Sequence, residues 1–214
     1  FQDAKKSFST GDWLKIANKK IIEVKKRRKT PILVGGTGLY FKALTDGLVQ
    51  IPNIPVRFRN QIRNLHKQIG QNNFYKQLLK LDPLSKNKIN PTDTQRSIRA
   101  FEVKKFTKKS LHDWFKNTKS NYLEEDFFKI YIDYPRDELV ERIHQRTAKM
   151  IKMGAVNEVK RFLKLKIKKQ MPACKSIGVN EIQEYLDNEK KIDEIKEKIS
   201  IKTRQYAKRQ STWA

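Results

Sequence analysis

At 214 residues the chain is long enough to bury a core, and its three Trp, seven Tyr and eleven Phe exclude disorder throughout. No apolar run approaches the roughly 20 residues that cross a bilayer; a single cysteine, Cys174, excludes an intramolecular disulfide, and His66, His112 and His144 lack metal-ligand spacing. Lys and Arg outnumber Asp and Glu by 48 to 23, a net charge of +25 that suits a phosphate-rich partner, although an excess of lysine over arginine also fits coding bias.

The opening "FQDAKKSFSTGDW" has neither an initiator Met nor the basic-then-apolar layout of a signal peptide, so the sequence is expected to be a fragment. Ser9 and Asp12 form a capping box, and Trp13, Ile16, Ala17 and Ile21 follow at helical spacing, which predicts a helix to about Arg28. After Pro31, Ile32-Leu33-Val34 predicts a buried strand, then a turn at Gly35-Gly36-Thr37-Gly38 and an apolar helix through Leu44. The turn is neither a Walker A loop nor a G-x-G-x-x-G fingerprint, and a steric need for glycine explains it by itself. The Thr37 hydroxyl, at the carboxyl end of the expected strand, is the part able to touch a ligand.

Beyond Gly47 the texture changes. Pro52 and Pro55 break the chain, and residues 56–119 show helical spacing only, with Phe74, Leu78, Leu79 and Leu81 on one short helix and Ile98, Phe101, Val103 and Phe106 on another. "FFKIYID", residues 127–133, alternates as a strand does, and Pro135 suits the first turn of the next helix. Further helices are expected over 136–150, 154–169, 180–187 and 191–213. The fold class read from this pattern is α/β, with core segments at 1–50 and 126–214 and an inserted all-helical domain at 51–125.

The basic residues cluster. Residues 47–81 contain no acid but hold Arg57, Arg59, Arg63, Lys67, Lys76 and Lys80; residues 159–180 are also acid-free, as is the tail after Glu197. Gln95, Arg96 and Arg99 fall within one helical turn and form a forked donor surface, unless Arg99 and Glu102 are simply a surface pair. Arg142 and Arg146, one turn apart after the second expected strand, can clamp a diphosphate or remain solvated. Arg204 with Lys208, and Gln205 with Arg209, give the last helix a basic face beside Tyr206.

Four motifs taken in order, "PILVGGTGLYFKAL", "DTQRSIRAFEV", "SIGVNE…YL" and "TRQYAKRQSTW", resemble those of the bacterial tRNA dimethylallyltransferases, also called tRNA isopentenyltransferases, across essentially the whole chain. The resemblance implies a P-loop-NTPase-like α/β core with an inserted helical domain. It implies transfer of a dimethylallyl group from its diphosphate to N6 of the adenine 3′ of the anticodon, the base being flipped into a channel. It also implies Mg²⁺ at the diphosphate, a cytoplasmic monomer without a membrane, and the anticodon stem-loop as partner. Position by position, Thr37 matches a channel threonine near the target base, and Arg59 a tRNA-contacting arginine. Gln95, Arg96, Ser97, Ile98 and Arg99 match a tRNA-binding segment, as do Lys175, Ser176, Ile177, Gly178, Val179 and Asn180. So do Thr203, Arg204, Gln205, Tyr206, Ala207, Lys208, Arg209 and Gln210. Val179 stands where the family usually has an aromatic. The family's phosphate loop, general-base aspartate and metal ligands are expected upstream of Phe1, which would leave this chain alone able to bind tRNA but inactive in transfer. Two alternatives stand beside this reading: a basic RNA-binding module without catalysis, and an adenylate isopentenyltransferase acting on free nucleotide. The extended cationic surface argues against the second, because a free nucleotide needs none.

Overall fold

The computed structural model describes residues 3–6, 8–169 and 171–213, the Trp213 side chain excepted. The expected α/β core is not present: the described residues form helices and no strand or sheet. Residues 31–35 and 127–135 have no regular structure, and Ile32, Val34, Phe128, Ile130 and Ile132 stand in solvent, Val34 at 93% and Phe128 at 91% exposure. The alternation that predicted strands describes only a local preference. A strand exists when a second chain segment completes its hydrogen-bonding ladder, and no segment among those described does so.

The chain divides into two compact units, residues 1–42 with 125–214 and residues 43–124. In the first, α1 spans Thr10–Lys26 and begins as its sequence dictates: the Ser9 hydroxyl accepts from the Asp12 amide at 3.1 Å, while the Asp12 carboxylate accepts from the Ser9 amide at 3.0 Å. Helix α2, Gly38–Thr45, follows the glycine turn, and its Tyr40 stacks on Trp13 of α1 at 4.6 Å between centroids.

In the second unit α3, Val56–Leu81, is interrupted at Gly70, whose φ of 74° no other residue type adopts cheaply. It packs on α4, Thr94–Thr107, which leads to the short α5, Leu111–Phe115. Phe74, Leu78, Ala100 and Val103 are completely buried between them. Beneath this core Asp82 accepts hydrogen bonds from Ser85 (3.1 Å) and from Ser110 (2.8 Å), the residue that caps α5.

The first unit closes with α6 (Arg136–Lys152), α7 (Ala155–Lys164), α8 (Val179–Leu186) and α9 (Ile192–Trp213). Ala155, Val159, Ile182, Ile195 and Ile199 form their shared core. Where α6 crosses α9, the Ser200 hydroxyl donates to Thr147 Oγ1 at 3.3 Å.

Candidate functional site

In the 43–124 unit, three guanidinium groups converge on one carboxylate. Arg59 and Arg63 stand one turn apart on α3, and Arg99 lies on the facing α4. Their nitrogens lie 3.5 Å (Arg59 Nε), 3.8 Å (Arg63 Nε) and 3.7 Å (Arg99 Nη1) from the Glu102 oxygens. The Glu102 side chain is 2% exposed, whereas the arginine side chains are 40–50% exposed. The pairing of Arg99 with Glu102 is therefore not an ordinary surface pair; it is one arm of a cluster seated on a buried acid. Three cations against one anion leave two positive charges facing outward. Desolvation, opposed by Glu102 and reinforced by the Arg59 charge, lowers the Arg99 pKa below its ordinary value. Arg63 was not among the candidate site residues, although its i,i+4 spacing from Arg59 is the signal that could have placed it there.

The rest of the 95–99 segment divides by helix phase. Asp93 caps α4 by accepting from the Arg96 amide at 3.0 Å. Gln95 and Arg96 are exposed, Ile98 is half-buried against the unit's core, and Ser97 is completely buried, accepting from Gln71 Nε2 at 3.2 Å.

In the other unit, the glycine turn lies against the last helix. Gly36 does not have a positive φ; it lies against the Gln210 side chain of α9, and a Cβ there would press on the Gln210 amide nitrogen and fall 2.7 Å from Cδ, so that flexible amide would have to shift. Gly36 and the Gln210 side chain thus meet, and Thr37, which follows Gly36 in the chain, is half-buried. Arg204, Gln205, Tyr206, Lys208 and Arg209 are exposed on the same helix, and the Arg209 guanidinium sits 5.6 Å over the Tyr206 ring. Thr203 and Ala207 are half-buried, and the Thr203 hydroxyl donates to Ile199 O at 2.7 Å.

The 175–180 segment runs into α8. Lys175, Ser176, Ile177 and Asn180 are exposed, Val179 is half-buried, and Gly178 is buried with its amide donating to Glu181 at 2.7 Å. Glu181, itself buried, also binds Lys202 of α9. Burial pushes the Glu181 carboxyl up, but the hydrogen bonds from Lys202 and from the backbone outweigh it and hold the pKa below 4.5. Arg142 and Arg146 are both exposed on α6, and Arg142 lies 4.8 Å over the Tyr134 ring. Among the described residues, no three His, Cys, Asp or Glu side chains come together as metal ligands. No described helix is long and apolar enough to cross a membrane.

One unit thus carries clustered guanidinium groups, and the other an exposed basic helix face beside a glycine turn. The chain belongs to the IPP transferase family, whose model matches residues 1–214. It is 56% identical over all 214 residues to a tRNA dimethylallyltransferase of Pelagibacter ubique, spanning 68% of that protein. It is 41% identical over its whole length to a tRNA dimethylallyltransferase of Rickettsia massiliae, of which it spans 59%. Among solved structures, it resembles the tRNA isopentenylpyrophosphate transferase of Bacillus halodurans at 29% identity and a TM-score of 0.62, covering 99% of this chain and 65% of that one. A eukaryotic dimethylallyltransferase acting on tRNA shares the fold at a TM-score of 0.83 and 24% identity, covering 100% of this chain and 54% of that one.

Proposed function

We propose that the protein transfers a dimethylallyl group from dimethylallyl diphosphate to N6 of the adenine 3′ of the anticodon in tRNA. The observation that carries this reading is the match to a tRNA dimethylallyltransferase at 56% identity over all 214 residues of the chain. In the transfer, the adenine N6 bonds to C1 of the dimethylallyl group, the carbon–oxygen bond breaks, its electron pair leaves with the diphosphate, and N6 loses a proton.

On this reading three tasks fall to this chain's own residues. Arg59, Arg63 and Arg99 meet RNA phosphates, with Gln95 and Arg96 continuing the donor surface along α4. The exposed bases of α9 and the Lys175–Asn180 segment form a second contact with the RNA. Thr37, which follows Gly36, and Gln210, which meets it, face the target base; a glutamine amide, which both donates and accepts, complements the paired donor and acceptor of an adenine edge. Arg142 and Arg146 are the guanidinium pair available to the diphosphate oxyanions.

The test is a chimera in which residues 1–214 replace the matching stretch of the Pelagibacter ubique enzyme. Prenylated adenosine in tRNA, detected by nucleoside mass spectrometry, is the expected result. A folded chimera that binds tRNA and transfers nothing would favour a basic RNA-binding module instead.

A further inference from the structure

We infer that Glu102 is a positioning residue: a buried acid within an RNA-binding surface that strengthens binding by holding Arg59, Arg63 and Arg99 in the arrangement a phosphate needs. The inference rests on the RNA-binding reading above and goes beyond it by assigning a role to a residue that RNA cannot reach, at 2% side-chain exposure.

Three observations support it. First, the separations of 3.5, 3.8 and 3.7 Å place the guanidinium groups in Coulombic contact with the carboxylate, short of docked, bidentate hydrogen bonds. Arg59 Nε and Glu102 Oε1 are both buried and make no hydrogen bond. The forks are therefore held near the acid without being used up by it, and their outer N–H groups are left for an anion. Second, like-charged guanidinium groups gathered within 4 Å of one carboxylate repel one another. Without a central negative charge these long side chains would spread apart into solvent. Third, α4 is fixed in phase by the Asp93 cap and by the buried Ser97, Ala100, Phe101 and Val103, so the backbone holds Glu102 beneath the cluster in one orientation.

The consequence has the opposite sign to that of charge alone. Neutralising an acid on an RNA-binding surface raises the positive charge and ordinarily tightens binding. If Glu102 organises the arginines, Glu102→Gln weakens binding despite the added net charge, because the ordering of three flexible side chains must then be supplied by the RNA itself.

The experiment titrates an anticodon stem-loop RNA with the 214-residue chain, by fluorescence anisotropy over a series of salt concentrations. For Glu102→Gln the affinity is expected to fall about 5- to 30-fold at fixed salt, with the salt slope unchanged because the number of phosphate contacts is the same. Arg63→Lys, at an exposed site that cannot disturb the core, keeps the charge and loses the fork. It is expected to weaken binding about 3- to 10-fold with the slope again unchanged, which keeps the inference open to refutation if Glu102→Gln fails to fold. A folded Glu102→Gln variant binding as tightly as wild type, or more tightly, overturns the positioning role and leaves the RNA-binding reading standing; should that variant not fold, an Arg63→Lys variant at wild-type affinity does the same. A wild-type chain with no salt-dependent binding overturns both.

Discussion

The contact of Gly36 with Gln210 offers a test in which stability and function separate. Gly36→Ala adds one methyl group, 2.7 Å from Gln210 Cδ and 3.2 Å from Oε1, so the amide must move. Because Gly36 does not have a positive φ, alanine fits its backbone, and restricting the unfolded chain contributes about 0.4–1 kcal/mol of stability. Turning a flexible side chain off its preferred rotamer costs about 0.5–1.5 kcal/mol. The two terms nearly cancel, so the midpoint of thermal unfolding should stay within about 4 °C of wild type. Catalysis should not be spared. If the displaced amide and Thr37 together hold the base, losing a polar contact of about 1–3 kcal/mol lowers kcat/KM roughly 5- to 150-fold in the Pelagibacter chimera. The cause is isolated by the double variant: with Gln210→Ala already present the methyl group meets empty space, so Gly36→Ala/Gln210→Ala should be no worse than Gln210→Ala alone. Wild-type efficiency in Gly36→Ala, or a double variant that loses the full effect of both single changes, would refute the reasoning.

Thr37→Ala in the same chimera should lose about 5- to 150-fold in kcat/KM without unfolding, since one hydroxyl is removed at a half-buried site; unchanged efficiency would make the turn merely structural. Arg142→Ala and Arg146→Ala should raise KM for dimethylallyl diphosphate while leaving tRNA affinity unchanged, and unaltered kinetics in both would reduce the pair to surface charge. Glu181→Gln weakens the link between α8 and α9 by about 1–2 kcal/mol, a modest figure because the Lys202 side chain is 52% exposed. Because the folded pKa of Glu181 lies below 4.5, its contribution is complete above that pH and is lost as the pH falls through the folded value. The stability gap between wild type and variant should therefore close on acidification, and a gap independent of pH would show that charge is not its source.

What the sequence made legible was local. The Ser9–Asp12 cap, the helical stripes of α6 through α9 and the apolar face of α3 are written in residues a few positions apart, and each forms as its spacing requires. The α/β reading failed where it needed a partner: Ile32–Val34 and Phe127–Asp133 have strand-like composition, but composition cannot supply the neighbouring backbone. The site was legible in part. The exposed bases of α9 follow from i,i+4 spacing within one helix. The descent of Gln210 onto Gly36 brings together positions 174 residues apart (210 − 36), and no local pattern encodes it. Gln95 to Arg99 looked uniform in sequence, yet helix phase turns Ser97 into the core and leaves Gln95 outside.

In a chain with 48 basic and 23 acidic residues, the informative charges are the buried acids. Asp82, Glu102 and Glu181 are each 1–2% exposed, and burying a carboxylate is costly unless it is paired. Each is paired in its own way: Asp82 with two serine hydroxyls that tie α5 beneath the core, Glu181 with Lys202 and an amide that join two helices, and Glu102 with three arginines. The first two have hydrogen bonds that account for them structurally. Glu102 differs: although Asp82 Oδ1, like Glu102 Oε1, is buried without a partner, the contacts of Glu102 with its three arginines are 3.5–3.8 Å long and those arginines are 40–50% exposed. Packing alone would favour an apolar residue at that position on α4. The net charge left by three guanidinium groups on one acid is explained when an anion completes the set, and under the proposed function that anion is an RNA backbone phosphate.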